Sequence, residues 1–150
     1  MSLKDTIQQD MKTAMRAKDQ ASLRALRAIK AAILNEEVAE GRNGEPLTSA
    51  EELKLLTKQA KQRRDSIAQY RDSGREDLAT GEEEELAIIE RYLPQQLSEA
   101  EIETKVQAII DEVGANSMKD MGKVMGQATQ QMAGQADGKV ISGVVKRLLS

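Results

Sequence analysis

The chain has 150 residues, a net charge of −3, no cysteine, no histidine, and two tyrosines as its whole aromatic content. That length supports one or two domains with a modest core. The missing residue types exclude disulfides and thiolate chemistry, and they remove the commonest general base and the commonest metal ligand.

Ala, Glu, Gln, Lys, Leu and Arg dominate, all good helix formers, and no strand-like run of Val, Ile, Thr and aromatics is present. The expected fold class is therefore all-α. Seven methionines imply an adaptable, ring-poor core. Ser2 with Asp5 opens a first helix, whose apolar stripe is Leu3, Ile7, Met11 and Met15. A second is expected from about Asp19 to Glu40, with Leu23, Leu26, Ile29, Ile33 and Leu34 inward. The run from Gly41 to Pro46 is a loop.

Ser49 with Glu52 is the expected cap of a third helix carrying Leu53, Leu56, Ala60, Ile67 and Tyr70 inward. Ser73-Gly74 breaks the chain, and a fourth helix follows to Tyr92, with Leu78, Leu86, Ile89 and Leu93 facing in. Gly81 weakens that helix, and Pro94 stops it. The expected domains are residues 1–94 and 95–150. Ser98 with Glu101 caps a fifth helix with Ile102, Val106, Ile109 and Val113 on one face and Gly114 at its end. Ser117 with Asp120 caps a sixth, whose stripe is Met118, Met121, Met125, Ala128 and Met132, and which Gly134 closes. Asp137 caps a seventh, with Val140, Ile141, Val144, Val145, Leu148 and Leu149 forming a wide apolar face. Four helices, then three, is the expected architecture.

The N-terminal stretch is too charged for a signal peptide, and no segment has the ~18 consecutive apolar residues of a membrane span. A soluble cytoplasmic protein is expected, with no membrane partner. Charge is unevenly placed. Residues 53–64 hold Lys54, Lys58, Lys61, Arg63 and Arg64 with no acid, and Glu82–Glu85 is a run of four acids. On the helical wheel the three lysines share an outer face, whereas Arg63 and Arg64 sit nearer the apolar stripe and are expected to pair with acids such as Glu82–Glu85.

From Val113 to Ser150 there are five basic residues and two acidic ones. On the sixth helix Lys119 and Lys123 are expected opposite the methionine stripe, flanked by Gly122 and Gly126. On the seventh, Lys139, Gly143 and Lys146 fall together, with Arg147 at the edge. Lysines attract phosphates, and glycines let a bulky backbone come close, so this pattern fits a polyanion surface. The same residues also fit ordinary solvated helix faces, with G-x-x-x-G serving helix packing. The candidate nucleic-acid-binding residues are Lys119, Gly122, Lys123, Gly126, Lys139, Lys146 and Arg147. No catalytic residue, metal ligand or cofactor is assigned. Neither G-x-x-x-x-G-K-[ST] nor G-x-G-x-x-G occurs, and no serine has a histidine partner. With two tyrosines, the expected nucleic acid is a folded RNA recognised through shape and phosphates.

The runs Asp120-Met-Gly-Lys-Val-Met-Gly126, Gly134-Gln-Ala-Asp-Gly138-Lys139 and Val144–Leu149, with Leu93-Pro-Gln-Gln-Leu-Ser98 before them, resemble the tail domain of GatB. GatB is the tRNA-binding subunit of the glutamine-dependent amidotransferases that act on misacylated Glu-tRNA or Asp-tRNA. Arg27–Ile33 and Lys61–Ser66 resemble the free-standing YqeY proteins. The GatB/YqeY resemblance covers essentially the whole chain. It implies a two-part helical fold and, for the tail, contact with the folded body of tRNA through Lys119, Gly122, Lys123, Gly126, Asp137, Gly138 and Lys139. It brings no amidotransferase active site, because that chemistry belongs to a domain this chain lacks. The expected function is a non-catalytic tRNA-binding module, linked to tRNA-dependent amidation or another tRNA process. The alternatives are a protein–protein adaptor in translation and an accessory part of a carbon–nitrogen ligase with glutamine as amido donor, acting only with other subunits.

Overall fold

A computed structural model describes residues 2–39 and 41–150. The described residues form seven α-helices and one 3₁₀ turn, with no strand, so the all-α expectation holds. The helices are α1 (Leu3–Ala17), α2 (Gln20–Glu37), α3 (Ser49–Asp72), α4 (Glu76–Glu90), α5 (Glu99–Val113), α6 (Met121–Gln131) and α7 (Gly138–Leu149). They divide into two compact units, Met1–Leu93 and Pro94–Ser150.

In the first unit, Ile7 and Ala14 of α1 meet Leu23, Leu26, Ile29 and Ile33 of α2, Leu55, Leu56 and Ala60 of α3, and Ile88 and Ile89 of α4. The caps are local. Ser2 and Asp5 form the expected box on α1, and the Asp19 carboxylate accepts the Ser22 N–H at the start of α2. The box on α3 is Thr48 with Glu51, one residue before the expected Ser49 and Glu52. The reason is tertiary: the Glu52 carboxylate accepts the Leu3 N–H at the mouth of α1, at 2.7 Å. Glu52 therefore caps a different helix from its own. In the loop between α2 and α3, Gly41, Asn43 and Gly44 all have positive φ (88°, 57° and 76°), a conformation that bulky L-residues resist.

Helices α3 and α4 run antiparallel, and the ion pairs between them come from the second half of α3. Arg63 lies 3.0 Å from Glu82 and 2.9 Å from Glu85, and Arg64 lies 3.6 Å from Glu90. Arg71 pairs with Glu83 and Glu76 near the turn. The expected pairing of the two arginines with acids is what the fold contains, and Glu82 and Glu85 do share a face.

Several expected inward positions point out. Met15, Leu34, Leu78, Met118 and Val140 are exposed, and their places are taken by Ala14, Ala25, Ala79 and Val124, with Leu55 added on α3. Three of the substitutes are alanines, which the spacing of large side chains does not reveal. Helix α2 ends at Glu37, before the expected Glu40, which itself lies outside the described residues. Helix α4 ends at Glu90 rather than Tyr92, and its N-cap Arg75 makes no side-chain cap.

The second unit is a three-helix bundle. Ile102, Val106, Ile109 and Ile110 of α5 pack with Val124 and Ala128 of α6, Met132 just beyond it, and Ile141, Val144, Val145 and Leu149 of α7. Ser98 and Glu101 form the expected box on α5, and Gly114 ends that helix with φ 70°. The Leu97 N–H donates to the Gln135 carbonyl (2.8 Å), and Gln96 Nε2 donates to the Gly134 carbonyl (2.7 Å). The Pro-Gln-Gln-Leu segment is thus a strap that holds the loop between α6 and α7.

Candidate nucleic-acid interface

Helix α6 starts differently from the expected Ser117–Asp120 box. Ser117 Oγ accepts the Lys119 N–H (3.3 Å), and Asp120 Oδ2 accepts the Asn116 N–H (3.1 Å). These bonds wind Met118–Asp120 into a 3₁₀ turn, and α6 begins at Met121. Lys119 therefore stands in the lead-in turn, and Lys123 stands in the first turn of the helix. Both are exposed. The buried centre of α6 is Val124 with Ala128, flanked by half-buried Met121 and Met125.

Gly122 and Gly126 lie on the outward side of α6, and Gly143 lies on the outward side of α7. A Cβ built on any of them, or on Gly138, would meet nothing within 4 Å. Packing inside the unit does not require these glycines. Each interior one costs the helix about 1 kcal/mol relative to alanine.

On α7, Asp137 Oδ1 accepts the Lys139 N–H (3.1 Å), so Asp137 is a cap. Lys139, Gly143 and Lys146 are exposed on one face by helical spacing. Arg147 is drawn aside: its guanidinium lies 3.4 Å from Glu103 and 3.8 Å from Glu99 on α5. It is partly neutralised and sits apart from the lysines. Among the described residues, Lys119, Lys123 and Lys146 are in no ion pair. The two acids of this region, Asp120 and Asp137, both accept backbone N–H groups. Helix α5 carries Glu99, Glu101, Glu103, Asp111 and Glu112 against Lys105. The bundle is thus polarised, with one acidic helix and two basic ones.

A cleft in the first unit was not legible in the sequence. It encloses about 360 Å³ between Asp10, Thr13, Asp19, Ser22, Arg91 and Tyr92, over a floor that includes Leu26 and Ile88. The Tyr92 hydroxyl donates to Asp10 Oδ2, across 82 residues of sequence. Burial, and then that bond, push the Tyr92 phenol above its ordinary range. Ser22 Oγ donates to Asp19 Oδ2 at 2.6 Å, and this bond, with the Ser22 N–H, holds the Asp19 carboxyl below its ordinary range. Within the cleft, the Tyr92–Asp10 bond ties α1 to the segment after α4, and the Ser22–Asp19 bonds fix the start of α2. Among the described residues, no group of three or more Asp or Glu converges as a metal site, and no helix is long and apolar enough to cross a membrane.

Fold and surface define a small all-α protein of two helical units, the second carrying a glycine-marked cationic face. The chain belongs to the YqeY family: the Yqey-like protein family matches residues 4–149. It is similar to "Altered inheritance of mitochondria protein 41, mitochondrial" of Pyrenophora tritici-repentis, 29% identical over 147 residues, 95% of this chain and 78% of the relative. The protein of the same name from Clavispora lusitaniae is 31% identical over 152 residues, 98% of this chain and 87% of the relative. That from Lachancea thermotolerans is 36% identical over 110 residues, 71% of this chain and 57% of the relative. These relatives bear mitochondrial names, which overturns the expectation of a cytoplasmic protein.

Proposed function

We propose that the chain is a non-catalytic RNA-binding module, with tRNA as the RNA and the outward faces of α6 and α7 as the contact surface. The observation that carries this reading is the set of glycines on an open helix surface. Gly122, Gly126 and Gly143 weaken their helices, and no neighbour within the unit makes use of their missing side chains. A partner that must approach the helix backbone closely explains them. The unpaired Lys119, Lys123 and Lys146 beside them select a polyanion as that partner. The resemblance of Asp120–Gly126 and Gly134–Lys139 to the GatB tail supports tRNA. Within this reading Asp137 and Asp120 are structural, and any link to an amide-forming ligase runs through RNA holding.

The test is titration of fluorescent tRNA with the full chain at several salt concentrations. Binding weakens steeply with salt, and Lys119→Gln with Lys123→Gln flattens the log–log slope by about 1.5, at roughly 0.7–0.9 per phosphate contact. Absence of binding at ~20 mM salt, where phosphate contacts are strongest, refutes the reading. The bare backbone also suits a partner helix. A partner protein retained after nuclease treatment and after both lysine changes would favour the adaptor.

A further inference from the structure

Helix α3 sorts its cations by type. Its arginines turn toward α4 and are consumed there: Arg63 by Glu82 and Glu85, Arg64 by Glu90, and Arg71 by Glu83 and Glu76. Arg24 of α2 takes Glu84, at 3.7 Å. The acid run of α4 is thereby matched within the unit and leaves nothing for the lysines of α3. Lys54, Lys58 and Lys61 are exposed, and among the described residues none of them is in an ion pair. Arginine's planar fork suits the fixed pairs, whereas lysine's hydrated point charge suits an exchangeable partner.

The lysines stand at i, i+4 and i+7, one exposed row along the helix. At 1.5 Å per residue, Lys54 to Lys61 spans about 10.5 Å. That is about three base-pair rises along a duplex axis, at ~3.4 Å of axis per phosphate of each strand. Asp65, one turn beyond Lys61, has a partner of its own. Glu51, near Lys54, is spent on Arg42 and on the Thr48 N–H. Glu36 lines the same concavity as Lys54 and Lys58, and it is the acid the row must outweigh.

We infer that Lys54, Lys58 and Lys61 of α3 form a second phosphate-binding row, through which the N-terminal unit takes part in holding RNA. The inference rests on the RNA reading of the α6 and α7 faces. Charge complementarity fixes an anionic occupant, and the absence of an apolar anchor selects a phosphate backbone over an acidic protein segment. Met15, Leu34, Val38, Leu78, Met118 and Val140 are the exposed large apolar residues among those described, and none lies on α3. A docked protein segment draws its affinity from buried apolar or aromatic anchors, which this row does not offer. With no ring to stack on bases, the row holds RNA without reading its sequence.

The experiment compares three full-length proteins: the parent, Lys54→Gln/Lys58→Gln/Lys61→Gln, and Lys119→Gln/Lys123→Gln. Glutamine keeps helix propensity close to that of lysine, and melting curves check the fold. A tRNA pool and poly-L-glutamate are the probes. The expected result is that the triple variant binds tRNA at least tenfold more weakly at low salt, with a salt slope shallower by about 2, while poly-L-glutamate binds none of the proteins tightly. In the parent itself, tRNA should shield the three lysines from an amine-reactive reagent. A triple variant equal to the parent, with those lysines unshielded, overturns this inference and leaves the α6 and α7 reading standing if the second variant loses affinity. A parent that binds no tRNA overturns both. Tight binding of poly-L-glutamate that is lost in the triple variant makes the occupant an acidic protein segment and also overturns the inference.

Discussion

Replacing Gly126 and Gly143 by alanine separates two roles that look alike on paper. Both glycines lie inside helices, neither has positive φ, and a Cβ at either would meet nothing within 4 Å. With no clash to subtract, each change recovers the helix-propensity difference of about 0.8–1.0 kcal/mol. Together they stabilise the Pro94–Ser150 unit by about 1.5–2 kcal/mol. For a unit this small that raises Tm by roughly 6–15 °C. Scanning calorimetry of the full chain, with urea denaturation as a second measure, reads the gain. The same double variant should bind tRNA more weakly, because two methyl groups now stand on the surface the phosphates approach. A fall in Tm would mean the glycines are packing positions. A rise in Tm with unchanged tRNA affinity would remove the observation on which the proposed function rests.

Met132 is fully buried in the tail core, and Met132→Ala should cost about 2–5 kcal/mol, read as an early melting transition of that unit. Arg63 is 24% exposed between Glu82 and Glu85, and Arg63→Gln leaves two carboxylates facing each other without their counter-charge. A loss of about 1–3 kcal/mol in urea denaturation is expected, below the figure for a fully buried pair because water still reaches the site. Tyr92→Phe removes the bond to Asp10 and should cost about 1–2 kcal/mol. The Tyr92 phenol titrates above its ordinary value near 10 in the folded chain, so its contribution is whole below pH 10 and declines as pH rises beyond it. Absorbance at the phenolate band should show a late-titrating ring in the parent that is missing in Tyr92→Phe. The Glu101 carboxyl is held below its ordinary range by the Ser98 N–H and hydroxyl, so its contribution is present at neutral pH and fades as acid protonates it. A carbon NMR titration should place its midpoint below that of a free glutamate, and Ser98→Ala should raise it.

Much of the fold was legible because helices announce themselves locally. The 3.6-residue spacing of Leu, Ile, Val and Met marks each amphipathic face, and Ser2, Asp19, Ser98 and Asp137 stand three residues or fewer from the N–H groups they cap. The sorting of α3's cations into inward arginines and outward lysines was legible for the same reason, since it follows from position on the wheel. Which acid meets which arginine was not, because those partners lie on another helix.

The sequence by itself determined seven helices, most of their ends, and a tail whose basic residues outnumber its acidic ones. Tertiary structure decided matters that no local window contains. The expected box on α3 is Ser49 with Glu52, but Thr48 with Glu51 forms it, and the Glu52 carboxylate turns to the N-terminus of α1. Val124, rather than the methionine row alone, centres α6 because the helix is wedged between two neighbours. Arg147 leaves the cationic face for α5, and the open glycines lose their packing explanation once every nearby atom has a place. Each of these outcomes depends on groups that are distant in the chain and meet only on folding.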